Sequence, residues 1–165
     1  REAAKIGDRF VREGIVGRFA LDFLTVQRPD GGWDAHAIEV NLRKGGTTHP
    51  FLTLQYLTDG LYDPETGRFT TEQGEQRCYV ASDHVESPAY RIFTADDLLD
   101  LISVHRLTFD QTCQTGVVLH MFSGVGQLGR LGVTCIHATP ERARGLYEEF
   151  VRLLDDEAAR RLANP

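Results

Sequence analysis

The sequence predicts an α+β fold in which antiparallel β-hairpins are packed with helices. Two observations carry this prediction. Runs rich in branched and aromatic residues occur as neighbouring pairs joined by short turns, at 17–41 and again at 117–137, and such pairs form antiparallel hairpins. Apolar residues recur at helical spacing at both ends of the chain, which predicts amphipathic helices there.

Length and composition limit the class of protein. The 165 residues correspond to one domain or two very small ones. The 18 basic and 24 acidic residues give a formal charge of −6, which argues against a sequence-independent nucleic-acid binder, because such proteins need a clustered positive surface. No apolar run is long enough to span a membrane, and no charged-then-apolar leader is present. Three scattered cysteines without a C-x-x-C pair read as reduced thiols, so we expect a cytoplasmic protein with neither nucleic acid nor membrane as partner.

The first third of the chain predicts a helix and a hairpin. Residues 1–13 have apolar side chains at helical spacing and are followed by Gly14, which stops a helix. Two strand-like runs, 17–26 and 33–41, flank a turn that contains Asp30-Gly31, and a D-G turn between such runs favours a β-hairpin.

The middle of the chain alternates helices with turns. A helix is expected over about 50–60, since Pro50 suits a first helical turn. A turn-rich loop follows at 63–67, and 77–85 reads as a strand of mixed polarity. Thr94, followed by two acidic residues in the first turn, predicts the capped start of another helix.

The last third predicts a strand pair and a closing helix. Residues 117–122 and 131–137 read as strands joined by a glycine-rich turn. That turn, 124–129, matches G-x-G-x-x-G, but strand-like residues follow it where a dinucleotide site needs a helix, so a flexible turn is the better interpretation. A closing helix begins at Thr139. One stripe of that helix carries Leu146, Phe150, Leu153 and Leu154.

The first hairpin brings three oxygen-bearing side chains together. If Asp30 and Gly31 are the two turn residues, Asp22 lies directly opposite Glu39, and Asn41 shares the face of Glu39. Opposed like charges are destabilising unless a positive group lies between them, and oxygen ligands without Cys or His favour Mg²⁺ or Mn²⁺. The alternative is a pair of solvated surface residues, because a register slip of one would move Asp22 to the other face. His36 and Glu39, three apart, would face opposite sides of a regular strand, which argues against zinc.

Residues 17–50 as a whole, GRFALDFLTVQRPDGGWDAHAIEVNLRKGGTTHP, resemble the metal-binding end of ATP-grasp carboxylate–amine ligases. The matching features are Asp22 on one strand, the E-x-N motif Glu39-Val40-Asn41 on the next, and the loop 45–49, which is rich in glycine and hydroxyl groups. Residues 78–157 are similar in general texture to the C-terminal extension of pheganomycin-type peptide ligases.

This resemblance implies an ATP- and Mg²⁺-dependent (or Mn²⁺-dependent) enzyme that activates a small-molecule or peptide carboxylate as an acyl phosphate and joins it to an amine. Asp22, Glu39 and Asn41 would hold the metal ions that bridge the ATP phosphates. Arg43 would pair with phosphate or carboxylate oxygens if the strand continues; an ordinary surface arginine is the alternative. The loop residues implied to act are Gly45 and Gly46, through backbone amides near the acyl phosphate, and Thr47, Thr48 and His49 around the substrate.

The chain also departs from the resemblance. Ligases of this family hold the ATP phosphates with lysines on an earlier lobe, whereas Lys5 and Lys44 are the only lysines here. We therefore expect a missing N-terminal part of the same protein and an inactive isolated chain. Residues 1–60 would close the ATP-grasp domain, and 61–165 would form the α+β extension. The competing hypothesis is a non-catalytic module that binds peptides or carboxylates or that oligomerises, for example as a homodimer.

Overall fold

A computed structural model, which describes residues 2–163, confirms the α+β class, with small antiparallel sheets and helices. The helices are α1 (Glu2–Arg12), α2 (Thr48–Thr58), α3 (Ala95–Val104), α4 (Val125–Leu128) and α5 (Pro140–Ala163). The strands are β1 (Ala20–Gln27), β2 (Trp33–Asn41), β3 (Leu61–Asp63), β4 (Arg68–Thr70), β5 (Cys78–Glu86), β6 (Gly116–His120) and β7 (Arg130–His137). Among residues 2–163, no helix has the length and apolar character needed to cross a membrane.

The chain forms two compact units that divide inside α2, between His49 and Pro50. Leu54 of α2 is buried with Phe69 and Ile136, which belong to the second unit. Most of α2 therefore contributes to the core of the second unit.

The first unit consists of α1 and the antiparallel β1–β2 hairpin. An edge-to-face contact joins Phe10 of α1 to Phe19, with ring centroids 5.0 Å apart. Among the described residues up to His49, no apolar side chain is buried, and Trp33 and Ile38 are 62% and 65% exposed. This unit therefore has little apolar core of its own. A two-stranded hairpin without a buried face is marginally stable in water.

The second unit is organised around β7, which pairs antiparallel with β5 on one side and with β6 on the other. One set of its side chains, including Val133, lies in a core cluster with Phe150 and Leu154 of α5. Ile136 belongs to a second cluster with Leu54 and Phe69. The sheet therefore has apolar contacts on both faces, and residues 131–136 are all buried.

Several predicted local features are observed. Thr94 caps α3 in a reciprocal capping box, in which its Oγ1 accepts from the Asp97 N–H and the Asp97 carboxylate accepts from the Thr94 N–H. In α5, Phe150 and Leu154 are fully buried, and Leu146 and Leu153 are partly buried against the same core. The apolar stripe and the strand predicted over 131–137 are therefore confirmed, whereas the strand predicted over 117–122 ends at His120.

Two local features differ from the predictions. The glycine-rich segment before β7 is a short 3₁₀ helix, Phe122–Gly124, followed by the single turn of α4, instead of a flexible turn. Gly129 ends this turn with a φ of +66°, and a Cβ there would overlap the carbonyl oxygen of Ser87. The β3–β4 hairpin was not predicted, because strands of three residues are too short to show an alternating pattern.

Arg77 is a buried cation that fastens a loop to the start of β5. Its guanidinium donates to the carbonyl oxygens of Gln114 (3.1 Å), Gln76 (2.8 Å) and Cys113 (2.9 Å) and pairs with the Glu75 carboxylate. The Arg77 side chain is only 6% exposed. These carbonyl groups would lose their donor if the guanidinium were removed, and buried polar groups without a partner are costly.

We therefore expect Arg77→Ala to lower the free energy of unfolding by about 2 kcal/mol, because three backbone carbonyl oxygens lose a charged donor, whereas the exposed Glu75 carboxylate contributes little. Urea unfolding followed by circular dichroism measures this change. The matched control is Arg152→Ala, which removes an exposed arginine from α5 and should change stability by less than about 0.5 kcal/mol. Equal effects of the two variants would show that the Arg77 contacts contribute nothing particular.

Candidate functional site

The β1–β2 hairpin brings the predicted acidic pair together. Asp22 is the direct cross-strand partner of Glu39, and Ala20 is the partner of Asn41. Since residues two apart on a strand share a face, Asp22, Glu39 and Asn41 lie on one face of the hairpin. The predicted pairing is confirmed.

This pairing arises in a different way from the predicted one. The hairpin loop runs from Arg28 to Gly32, closed by a 2.7 Å hydrogen bond from the Arg28 N–H to the Gly32 carbonyl, and the ladder next to it pairs Gln27 with Trp33. That register is one residue away from the predicted one. A β-bulge at Ile38, between the pairs Phe23–Ala37 and Asp22–Glu39, restores the predicted alignment, because a bulge inserts one extra residue in one strand.

The bulge also changes the face on which His36 lies. His36 is the partner of Leu24, which is two residues from Asp22, so His36 and Glu39 are on the same face instead of opposite faces. Within the described residues, however, no group of three or more His, Cys, Asp or Glu side chains is close enough to hold a metal ion. The donor set that remains is the predicted one of two carboxylates and one amide.

The electrostatics of the acidic pair fit a cation from outside the hairpin. Asp22 and Glu39 are both exposed, and among residues 2–163 neither side chain makes a hydrogen bond or an ion pair. Opposed like charges on a sheet repel. Their oxygens, with the amide oxygen of half-buried Asn41, are the ligand type that Mg²⁺ prefers.

Arg43 lies outside β2, the strand that carries the E-x-N motif Glu39-Val40-Asn41. β2 ends at Asn41, so the condition for placing Arg43 on that face, a continuing strand, is not met. Its Nη1 lies 3.5 Å from the carbonyl oxygen of Lys44, at the limit of hydrogen bonding, and the side chain is exposed.

Thr48 organises the glycine-rich loop. The Gly45 N–H donates to Thr48 Oγ1 (3.1 Å), and the Thr48 N–H donates back to the Gly45 carbonyl (2.9 Å). Thr48 is 5% exposed, while Thr47 and His49 are exposed. The Thr48 hydroxyl therefore holds the loop at the start of α2, a positioning role that was not predicted from the sequence.

The two loop glycines are not required by the fold. A Cβ added at Gly45 or Gly46 would meet no atom within 4 Å, and neither residue has a left-handed φ. Because the Gly45 N–H is already bonded to Thr48, Gly46 is the one of the two glycines whose N–H has no acceptor among residues 2–163. Of the two amides predicted to approach an acyl phosphate, that of Gly46 is thus the available donor.

Comparison with known proteins gives one finding. The family model described as the PGM1 C-terminal domain matches residues 97–150, about a third of the chain. This segment runs from the first turn of α3 into α5 and lies within residues 78–157, for which a ligase extension was expected from the sequence. No curated protein and no solved structure gives a significant match.

We expect Thr48→Val to expose the Gly45 amide, because valine keeps the shape of threonine but removes the hydroxyl acceptor. Hydrogen exchange of the Gly45 amide, followed by NMR, should be about fivefold to tenfold faster than in the unchanged protein, as for the loss of a hydrogen bond of about 1 kcal/mol. The control Thr48→Ser keeps the acceptor and should keep the slow exchange. Equal exchange rates in the two variants would contradict the positioning role.

Proposed function

We propose that this chain belongs to an ATP- and Mg²⁺-dependent ligase of the ATP-grasp type, which activates a carboxylate as an acyl phosphate and joins it to an amine. The observation that carries the proposal is the opposition of Asp22 and Glu39, with Asn41 on the same face. Two opposed carboxylates without a Lys or Arg partner repel each other, and a divalent ion bound between them would turn this repulsion into attraction.

In the proposed reaction, a carboxylate oxygen of the acid substrate attacks the γ-phosphorus of ATP and the bond to ADP breaks. The amine then attacks the acyl carbon, inorganic phosphate leaves and the nitrogen loses a proton. Asp22, Glu39 and Asn41 would hold Mg²⁺, which neutralises charge on the phosphoryl oxygens. The residues of this chain thus position the reactants, and no protein nucleophile is needed.

The glycine-rich loop would stabilise the acyl phosphate. The Gly46 N–H is available to donate to its oxygens, and the missing side chain allows a close approach. The Thr48 hydroxyl holds the loop in place by accepting a hydrogen bond from the Gly45 N–H. His49 and Thr47 are exposed on the same segment and are proposed to contact the substrates, while Arg43 would reach the phosphates only from outside the strand.

The remainder of the nucleotide site is proposed to come from another part of the same protein. The chain has only two lysines, Lys5 and Lys44. The lysines that bind the α- and β-phosphates of ATP in this family would therefore have to come from elsewhere in the protein. The match of residues 97–150 to a C-terminal domain family supports a place for the second unit in the C-terminal part of the enzyme.

In the full-length protein, we expect Glu39→Gln to lower kcat for ATP-dependent amide formation by at least about a hundredfold, because the neutral amide removes a charged metal ligand. Release of ADP and phosphate, measured with Mg²⁺ titrated, checks this. The control Glu13→Gln changes an exposed glutamate whose carboxylate pairs with Arg9 on the surface of α1, and it should leave kcat unchanged. Full turnover of the Glu39 variant would remove this residue from the metal site.

Gly46→Ala tests the loop. The added methyl group meets no atom of the fold, so we expect unchanged or slightly raised stability together with a loss of kcat of about tenfold or more, if the methyl obstructs the acyl phosphate. The measurement is thermal unfolding alongside steady-state kinetics. Gly145→Ala on α5, where an added Cβ also meets nothing within 4 Å, should change neither kcat nor KM. Unchanged kcat in the Gly46 variant would contradict the close approach.

A second candidate function is a non-catalytic binding or oligomerisation module. The exposure of Trp33, Ile38 and Leu24 on the hairpin, at 62%, 65% and 54%, favours an interaction with another surface. A ligand that binds the full-length protein without ADP release under any tested substrate pair would support this candidate over the ligase.

A further inference from the structure

A small cleft lies between α3 and α5 of the second unit. Its volume is about 230 Å³, below the range of drug-sized ligand pockets and suited to a ligand of one or two amino-acid residues at most. The lining residues are Asp97, Asp100, Leu101, Val104 and His105 from the α3 side and Glu157, Arg160 and Arg161 from α5.

Most charges in this cleft already have partners. Arg161 bonds to Asp97 Oδ1 and to Glu157 Oε1, both at 2.7 Å, and Arg160 bonds to both oxygens of Glu157. Hydrogen bonds from Thr94 hold the pKa of Asp97 at about 2, and those from Arg160 and Arg161 do the same for Glu157. Both carboxylates are therefore ionised and engaged at neutral pH.

Asp100 is the exception. In the described part of the chain, its carboxylate makes no hydrogen bond and no ion pair. Three acidic residues and two arginines line the cleft, so the carboxylate of Asp100 has no arginine partner left to compensate its negative charge. An anionic ligand would find both arginines occupied, and a divalent metal ion would find one carboxylate where several oxygen ligands are needed.

The rest of the open surface is aliphatic. Leu101 is half-buried, and Val104 is 77% exposed on the same face of α3, three to four residues from Asp100 and Leu101. A ligand that covers Val104 gains apolar burial. The cleft therefore offers a single negative charge beside an aliphatic surface.

We propose that this cleft binds a small primary ammonium with an aliphatic group, such as the amino end of a leucine or valine residue. The ammonium pairs with Asp100, and the aliphatic group packs on Leu101 and Val104. The inference does not depend on the ligase proposal, since it rests only on contacts within the second unit.

The experiment is an NMR titration of the isotope-labelled chain with leucinamide. We expect millimolar binding with chemical-shift changes at Leu101, Val104 and His105. Glycinamide, which lacks the aliphatic group, should bind about tenfold more weakly, and N-acetylleucinamide, which lacks the charge, should bind about threefold to fivefold more weakly. Equal binding of either analogue, or shifts confined to other surfaces, would overturn the proposal.

Two variants locate the contacts. Asp100→Asn should weaken leucinamide binding about threefold to fivefold. The control Asp96→Asn, which also changes an exposed aspartate of α3 but lies outside the cleft, should not. Val104→Ser should weaken leucinamide but not glycinamide. Because Asp100 and Val104 are exposed, both variants are expected to fold, and unchanged leucinamide affinity in the Asp100 variant contradicts the proposed ion pair.

Discussion

The fold of the second unit depends on the burial of β7 between two other strands. Residues 131–136 have no exposed member, so their peptide groups need the partners that β5 and β6 provide. The side chains of alternate residues then enter two separate apolar clusters. Burial raises the pKa of the Cys135 thiol to about 12, which makes this cysteine an unreactive part of the core. Helices α2 and α5 are held in the unit by the apolar surfaces that β7 presents.

The first unit is built on a different constraint. Its hairpin has no buried apolar side chain among the described residues, so packing does not select the register. The loop Arg28–Gly32 and the bulge at Ile38 select it instead. Asp30 accepts from the Gly32 N–H at 2.9 Å, and Arg28 pairs with Asp30 and Asp34, which fixes the loop end. The alignment of Asp22 with Glu39 is thus set by backbone geometry and opposed by charge repulsion. A bound cation would reduce this repulsion and so stabilise the hairpin.

The sequence was sufficient for features with strong local signals. The Thr94 cap, the apolar stripe of α5 and the strand of β7 depend on residue patterns within one turn or one strand. The bulge at Ile38 could not be predicted, because nothing in the residue pattern distinguishes a regular strand from one with an extra residue. The pairing of Asp22 with Glu39 was predicted correctly, but from a turn register that was wrong by one residue. Arg77 was missed because its partners at Cys113 and Gln114 are distant in sequence.

The fold requires glycine at some positions of this chain and not at others. At Gly116 the φ of +137° and the nearby backbone of Phe109 exclude a side chain, so the fold alone accounts for glycine. At Gly46 neither the backbone conformation nor any neighbouring atom within 4 Å requires it. A loop held by the buried hydroxyl of Thr48 is ordered enough that flexibility is a poor explanation for its glycines. The ligand approach that we propose would account for the missing side chains, because only glycine lets the backbone of an ordered loop come so near to a bound acyl phosphate.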